Sequence, residues 1–217
     1  MSKAIKDAIP KNLLFRYRLP CREVAKPGPK PVNLPPEYRI EDLGQFESQA
    51  SYADVRMGWS ELGVYVSATI TGKKQTLWCR ETALLESDGL QLWIDTRDTH
   101  NVHRASKFCH WFVLMPTGHS GSDEPFASTL KINRSRETSP AMNKGKIVIS
   151  SKISKSGYSL SAFIPAASLH GWDAAQHQTL GFNYVVSDRE LGVQSLALGS
   201  ELPIDEDPSL WQSLSLV

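Results

Sequence analysis

The sequence predicts an all-β fold, an antiparallel β-sandwich preceded by an extended, proline-rich N-terminal arm. Three observations predict it. About ten short runs alternate apolar and polar residues with a period of two, and turn residues separate them. Helical character is confined to Pro165-Ala-Ala-Ser-Leu169, where proline takes its favoured first-turn place. The stretch Lys26-Pro-Gly-Pro-Lys-Pro-Val-Asn-Leu-Pro-Pro36 is stiff and extended, because proline fixes φ and has no amide to donate.

Taken in order, residues 12–19 read as a first strand that Pro20 stops. Val55, Met57 and Trp59 then alternate with Asp54, Arg56 and Gly58. After the turn Ser60-Glu-Leu-Gly63, Val64, Val66, Ala68 and Ile70 alternate with Tyr65, Ser67 and Thr69, which makes a hairpin with one buried face. Leu90, Leu92 and Ile94 alternate with Gln91, Trp93 and Asp95. Residues 108–115 are apolar on both faces and so predict a central, doubly covered strand. Further strands are expected at 128–132, 147–153, 158–164, 180–187, 193–198 and 210–217, with a polar connection over 133–146. No internal repeat or compositional break divides residues 41–217, so they read as one binding domain and residues 1–40 as its arm.

At 217 residues and 41% hydrophobic, the chain is long enough for a real core and too apolar to be disordered. Its longest apolar runs, such as Trp111-Phe-Val-Leu-Met115, have the length of a strand and not of a membrane helix. The opening Met1-Ser-Lys-Ala-Ile-Lys-Asp7 has no apolar signal region, so a cytoplasmic protein is expected. Cys21, Cys79 and Cys109 cannot all pair and lack zinc-ribbon spacing; reduced thiols are the simpler reading. A net charge of +1 argues against a nucleic-acid partner, yet the charge is uneven: the arm carries nine Lys/Arg and three Asp/Glu. A solvated arm partly docked on the acidic body is expected.

Several landmarks recur in an ordered series. They are Val55-Arg-Met-Gly-Trp-Ser-Glu-Leu-Gly-Val-Tyr-Val-Ser-Ala68, Asp88-Gly-Leu-Gln-Leu-Trp-Ile-Asp95, Gly157-Tyr-Ser-Leu-Ser-Ala-Phe-Ile-Pro165, Leu180-Gly-Phe-Asn-Tyr-Val-Val-Ser-Asp-Arg189 and the closing 211–216. This series, over roughly residues 53–217, resembles the family-9 carbohydrate-binding modules within the wider DOMON-like group. The resemblance implies a β-sandwich module that holds sugar chain ends between aromatic rings and carries structural calcium. The chain departs from the family where Val193-Gln-Ser-Leu-Ala-Leu-Gly199 lacks a tryptophan, and where Asp95-Thr-Arg-Asp-Thr-His-Asn-Val-His-Arg104 is inserted.

The residues themselves offer three constellations. Trp93, flanked by Gln91 and Asp95, and Trp78, after the polar Gly72-Lys-Lys-Gln-Thr76, suit a pyranose, whose C–H face stacks on an indole; both could equally be packing residues. The second is Asp95, Arg97, Asp98, His100, His103, Arg104, Cys109 and His110: its imidazoles and carboxylates could ligate a transition metal, Arg97, Arg104 and the histidines could recognise an anion, or all could serve as ordinary hydrogen-bonding groups. Ser187-Asp-Arg-Glu190 ends a strand at a turn, and the resemblance puts Asp188 near a ligand or a calcium. Nucleophile-elbow, phosphate-loop and zincin motifs are missing from the sequence, so no catalytic residue is assigned.

The reading that follows is a non-catalytic module for a saccharide or similar polyol. Trp78 and Trp93 would stack on the ligand, and Arg97, His103, His110, Asn183, Asp188 and Arg189 would make polar contacts. The alternatives are a calcium or zinc site at Asp98, His100 and His103, with His110 nearby and possible chemistry there, and a protein-interaction domain that uses the basic arm.

Overall fold

The period-two runs fold into β1 (Arg18–Glu23), β2 (Ala53–Ser60), β3 (Gly63–Thr71), β4 (Gly89–Asp95), β5 (Cys109–Met115), β6 (Phe126–Leu130), β7 (Val148–Ser154), β8 (Gly157–Pro165), β9 (Thr179–Asp188), β10 (Gly192–Ser195) and β11 (Gln212–Leu216). The computed structural model describes residues 16–43, 51–118, 122–142, 145–196 and 202–217. One sheet runs β6-β5-β4-β9-β11-β1, with β10 also on β9; the other runs β1-β2-β3-β8-β7. Pairing is antiparallel throughout, except where β1 lies parallel to both β11 and β2. Among the described residues, no helix is long and apolar enough to cross a membrane.

The first strand differs from its expected span. It runs through Pro20 instead of stopping there, and residues 12–15 of the expected strand lie outside the described residues. The hydrogen-bond pattern explains why Pro20 is tolerated. Ser213 and Val217 donate to the carbonyls of Tyr17 and Cys21, and Glu23 donates to Val217, so the odd-numbered residues face β11. Pro20 turns its missing donor to the other side, where β2 pairs only with Arg22 and Glu23. β1 thereby passes from one sheet to the other and joins them. The expected helical turn is a single 3-10 turn at Ala166–Ser168, directly after Pro165.

Facing rows place the core. Leu90, Leu92 and Ile94 of β4 align with Leu114, Phe112 and His110 of β5 and with Val186, Tyr184 and Phe182 of β9. Gln194, opposite Val186, reaches across to accept hydrogen bonds from the amides of Tyr52 and Ala53 at 2.8 and 2.9 Å, so this face looks towards the second sheet. Val55, Met57, Val66, Ala68, Leu160 and Ala162 answer it from the other side, all buried.

Part of the outer face of the second sheet, around Tyr65 and Phe163, is covered by the proline-rich stretch. Val24 and Leu34 form a separate apolar cluster with Tyr65 and Phe163. A Cβ on Gly58 would lie 2.8 Å from Val24 Cγ2, so glycine is what lets the strap lie flat on β2. The Tyr65 hydroxyl donates to the Gly28 carbonyl at 2.9 Å and accepts from the Gly28 amide at 3.0 Å. Tyr65→Phe removes both contacts while keeping the ring. We expect a loss of about 1–2 kcal/mol in denaturant unfolding, with hydrogen exchange at the Gly28 amide accelerated far beyond that of the β2 and β3 amides.

Candidate functional site

The β3–β4 loop and the β9–β10 turn meet at one end of the sandwich. Gly72, at φ +93°, bends the chain out of β3 in a conformation that favours glycine. Lys73 then turns inward, its amide donating to the Ser156 carbonyl at 3.0 Å. Its ammonium lies 3.1 Å from Asp88 Oδ2, 2.8 and 2.7 Å from the two Asp188 oxygens and 4.0 Å from Glu190 Oε2. Lys73 is 5% exposed and both aspartate side chains are fully buried. Burial alone would lower the ammonium's pKa; the hydrogen bonds and charges of Asp188 and Asp88 outweigh it and hold the pKa above the ordinary lysine value.

Two carboxylates around one ammonium leave excess negative charge, and backbone amides take it up. Asp88 Oδ2 also accepts from the Trp78 amide at 3.1 Å, and Oδ1 accepts from the Arg189 amide at 2.7 Å. Asp188 Oδ1 accepts from the amides of Glu190 and Leu191, each at 2.9 Å, which closes the turn between β9 and β10. The Glu190 carboxylate accepts from the amides of Lys74 and Gln75 at 2.8–3.0 Å, and these hydrogen bonds lower its pKa. One buried charge cluster thus sets the backbone on both sides of the end loops.

Above it stands Trp78, partly exposed, with the guanidinium carbons of Arg80 and Arg189 at 5.3 and 5.2 Å from its ring. Leu77, its chain neighbour, lines an adjoining cleft of about 410 Å³ together with Gln75, Thr76, Thr117, Asp123 and Lys155. The arrangement combines an apolar ring, forked donors and hydroxyl-bearing walls on a rigid base. Its chemistry is that of recognition.

The structure brings together three of the residues singled out from sequence, namely Trp78, Asp188 and Arg189. The others lie elsewhere. Trp93, expected to stack on a ligand, is 2% exposed and stacks instead on Trp111 with ring centroids 5.3 Å apart. Asn183 is buried in the same row. Arg97 donates to the Gly171 carbonyl at 2.7 Å and lies over Phe108. His103 is exposed and meets Asp207 at 3.0 Å. His110 is on the core face beside Ile94, and burial pushes its pKa down to about 4. Sequence reasoning passed over Lys73, Asp88 and Arg80 as functional groups.

The expected metal ligands do not converge. His100 Nε2 is engaged by Asp98 Oδ1 at 2.7 Å and by Ser213 Oγ at 2.9 Å, while His103 turns away to Asp207 and Ser209. Calcium takes six to eight oxygens, but the ammonium of Lys73 already occupies the space between Asp88 and Asp188. Among the described residues, no group of three or more His, Cys, Asp and Glu side chains has the arrangement of a metal site.

Compared with solved structures, the chain shares the fold of family-9 carbohydrate-binding modules. A module of this family from Caldicellulosiruptor kristjanssonii, in complex with cellotriose, superposes with a TM-score of 0.60 at 13% identity, covering 92% of this chain and 93% of that one. A family-9 module from the same organism in complex with glucose gives 0.62 at 13% identity, over 93% and 96% of the two chains. No protein-family model and no curated protein matches the chain.

Two expectations about stability follow. Lys73→Met leaves two buried carboxylates without their cation, and unfolding in denaturant should show a loss of about 3–5 kcal/mol. Because the ammonium's pKa is raised in the fold, its contribution is complete at all pH values below the unfolded lysine pKa and is lost only as pH rises through the folded one. His110 works in the opposite sense: its folded pKa is depressed, so below pH 6.5 the unfolded chain takes up a proton that the folded chain does not. Stability should therefore fall between pH 6.5 and about 4 by an extra ~3 kcal/mol that His110→Gln abolishes. The difference between the two pH profiles isolates this group, since every other titrating side chain is common to both proteins.

Proposed function

We propose that the protein binds a saccharide at the loop end of the sandwich, with Trp78 as the stacking surface. The observation that carries this reading is the partly exposed indole whose backbone is tied on both sides to a buried aspartate: Trp78 donates its amide to Asp88, and Asp88 donates its own amide to the Trp78 carbonyl at 2.9 Å. With the backbone held in this way, only the side-chain torsions of Trp78 remain to be ordered when a sugar stacks on the ring. The adjoining cleft presents the hydroxyls of Thr76 and Thr117 and the amide of Gln75 to the ligand's own hydroxyls. The sugar complexes of the two structural neighbours support the same reading. Arg189 and Asp188 have separate roles here. The first contacts ligand, and the second shapes the turn that presents it.

Intrinsic fluorescence titrated with mono- and disaccharides tests the proposal. A saturable change is expected even at millimolar affinity, about −4 kcal/mol. Trp78→Ala should weaken binding by at least about tenfold, while the melting temperature stays within about 4 °C, because both hydrogen bonds to Asp88 come from the Trp78 backbone and survive the substitution. Unchanged binding in Trp78→Ala would move the site away from this end of the molecule.

A further inference from the structure

The charge arrangement around Trp78 identifies the class of saccharide, on the premise that the ligand binds there. Every carboxylate of the buried cluster is already committed. Asp88 and Asp188 hold Lys73, and Glu190 accepts the amides of Lys74 and Gln75. The cations above the cluster are not. Arg80 and Arg189 are exposed, both lie against the same indole, and among the described residues neither guanidinium has a carboxylate partner. The ammoniums of Lys74 and Lys155, which line the neighbouring cleft, are likewise unpaired among the described residues; the acidic lining residue there is Asp123.

Holding two guanidiniums at one ring costs mutual repulsion, and each exposed cation–π contact returns little. A planar anion between or beside them would complete the arrangement, since the guanidinium fork matches a carboxylate with two parallel hydrogen bonds. Arg189 is also the residue whose backbone amide Asp88 holds at 2.7 Å, so this donor starts from a fixed point. We propose that the site selects saccharides bearing a carboxylate, uronic acids and their oligomers: the exposed guanidiniums of Arg80 and Arg189 swing off the indole to take the carboxylate, and the sugar face replaces them on Trp78.

The test compares digalacturonic acid with its dimethyl ester, which keeps the skeleton and removes the charge. By calorimetry at about 20 mM salt the acid should bind at least about tenfold more tightly than the ester, and the gap should shrink at about 0.5 M salt as the charges are screened. Arg80→Gln with Arg189→Gln should close the gap between acid and ester; both side chains are exposed, so the fold does not depend on them. Equal affinity of acid and ester in the unaltered protein overturns the inference while leaving saccharide binding intact. Sodium acetate competing as well as the acid also overturns it, because the site would then read an anion and not a sugar. Failure of both sugars, together with every neutral sugar, removes the binding reading itself and this inference with it.

Discussion

The end loops of this molecule depend on one ammonium between two carboxylates. Lys73 leaves β3 in the second sheet, whereas Asp88 directly precedes β4 and Asp188 ends β9, both in the first. The ion cluster therefore ties the two sheets together at the loop end, as β1 joins them along one edge by pairing with both β11 and β2. A buried ion pair gives little net stability over an apolar replacement of the same shape, since desolvation offsets most of the attraction. What it supplies is position. Asp88 Oδ1, which Lys73 does not reach, takes the Arg189 amide, and Asp88 Oδ2 takes the Trp78 amide beside the ammonium, so the cluster sets the backbone of residues that stand at the surface.

This arrangement separates a buried, hydrogen-bonded layer from an exposed one. Asp88, Asp188 and Lys73 are buried away from solvent. Trp78, Arg80 and Arg189 do reach solvent, and they bring no structural bonds of their own side chains into the network. Loops normally lose order in exchange for adaptability. Here the loop backbone is pinned by charge-assisted hydrogen bonds from below, and only side chains are left to adjust. The proline-rich strap applies a similar device to the far face: a polar anchor at Tyr65 holds a segment that has few amides of its own to donate.

Much of the fold was legible because a half-buried strand carries its own signature. The alternation of Val55, Met57 and Trp59 with polar neighbours, and its continuation after Gly63, locates the β2–β3 hairpin without further help. β1 was misplaced because its pattern depends on partners: whether Pro20 ends a strand turns on which side its missing donor faces, and that is decided by β11, nearly two hundred residues away. Trp93 was misread for a related reason. Alternation identifies two faces of a strand but does not say whether the second face meets water or a covering layer, and every residue of β4 is buried. Trp93 and Trp111, paired across the strands, stack on each other under that cover.

Lys73 shows where the limit of sequence reading lies and how to move it. In Gly72-Lys73-Lys74 nothing distinguishes the lysine that is buried from the one that is exposed. The signal sits instead in two distant acids and a register. Gly89 pairs with Ser187, so extending the ladder by one residue sets Asp88 directly across from Asp188. Like charges opposite each other in adjacent strands repel, and inside a protein they repel strongly enough that a counter-charge is required. Once β4 and β9 are known to be neighbours, a buried cation between them becomes a deduction, and the chain leaving β3 is the segment within reach to supply it. The identity of that cation matters for function. A lysine delivers the charge from the protein itself, with a fixed tether, so the platform under Trp78 and Arg189 is complete as soon as the chain is folded.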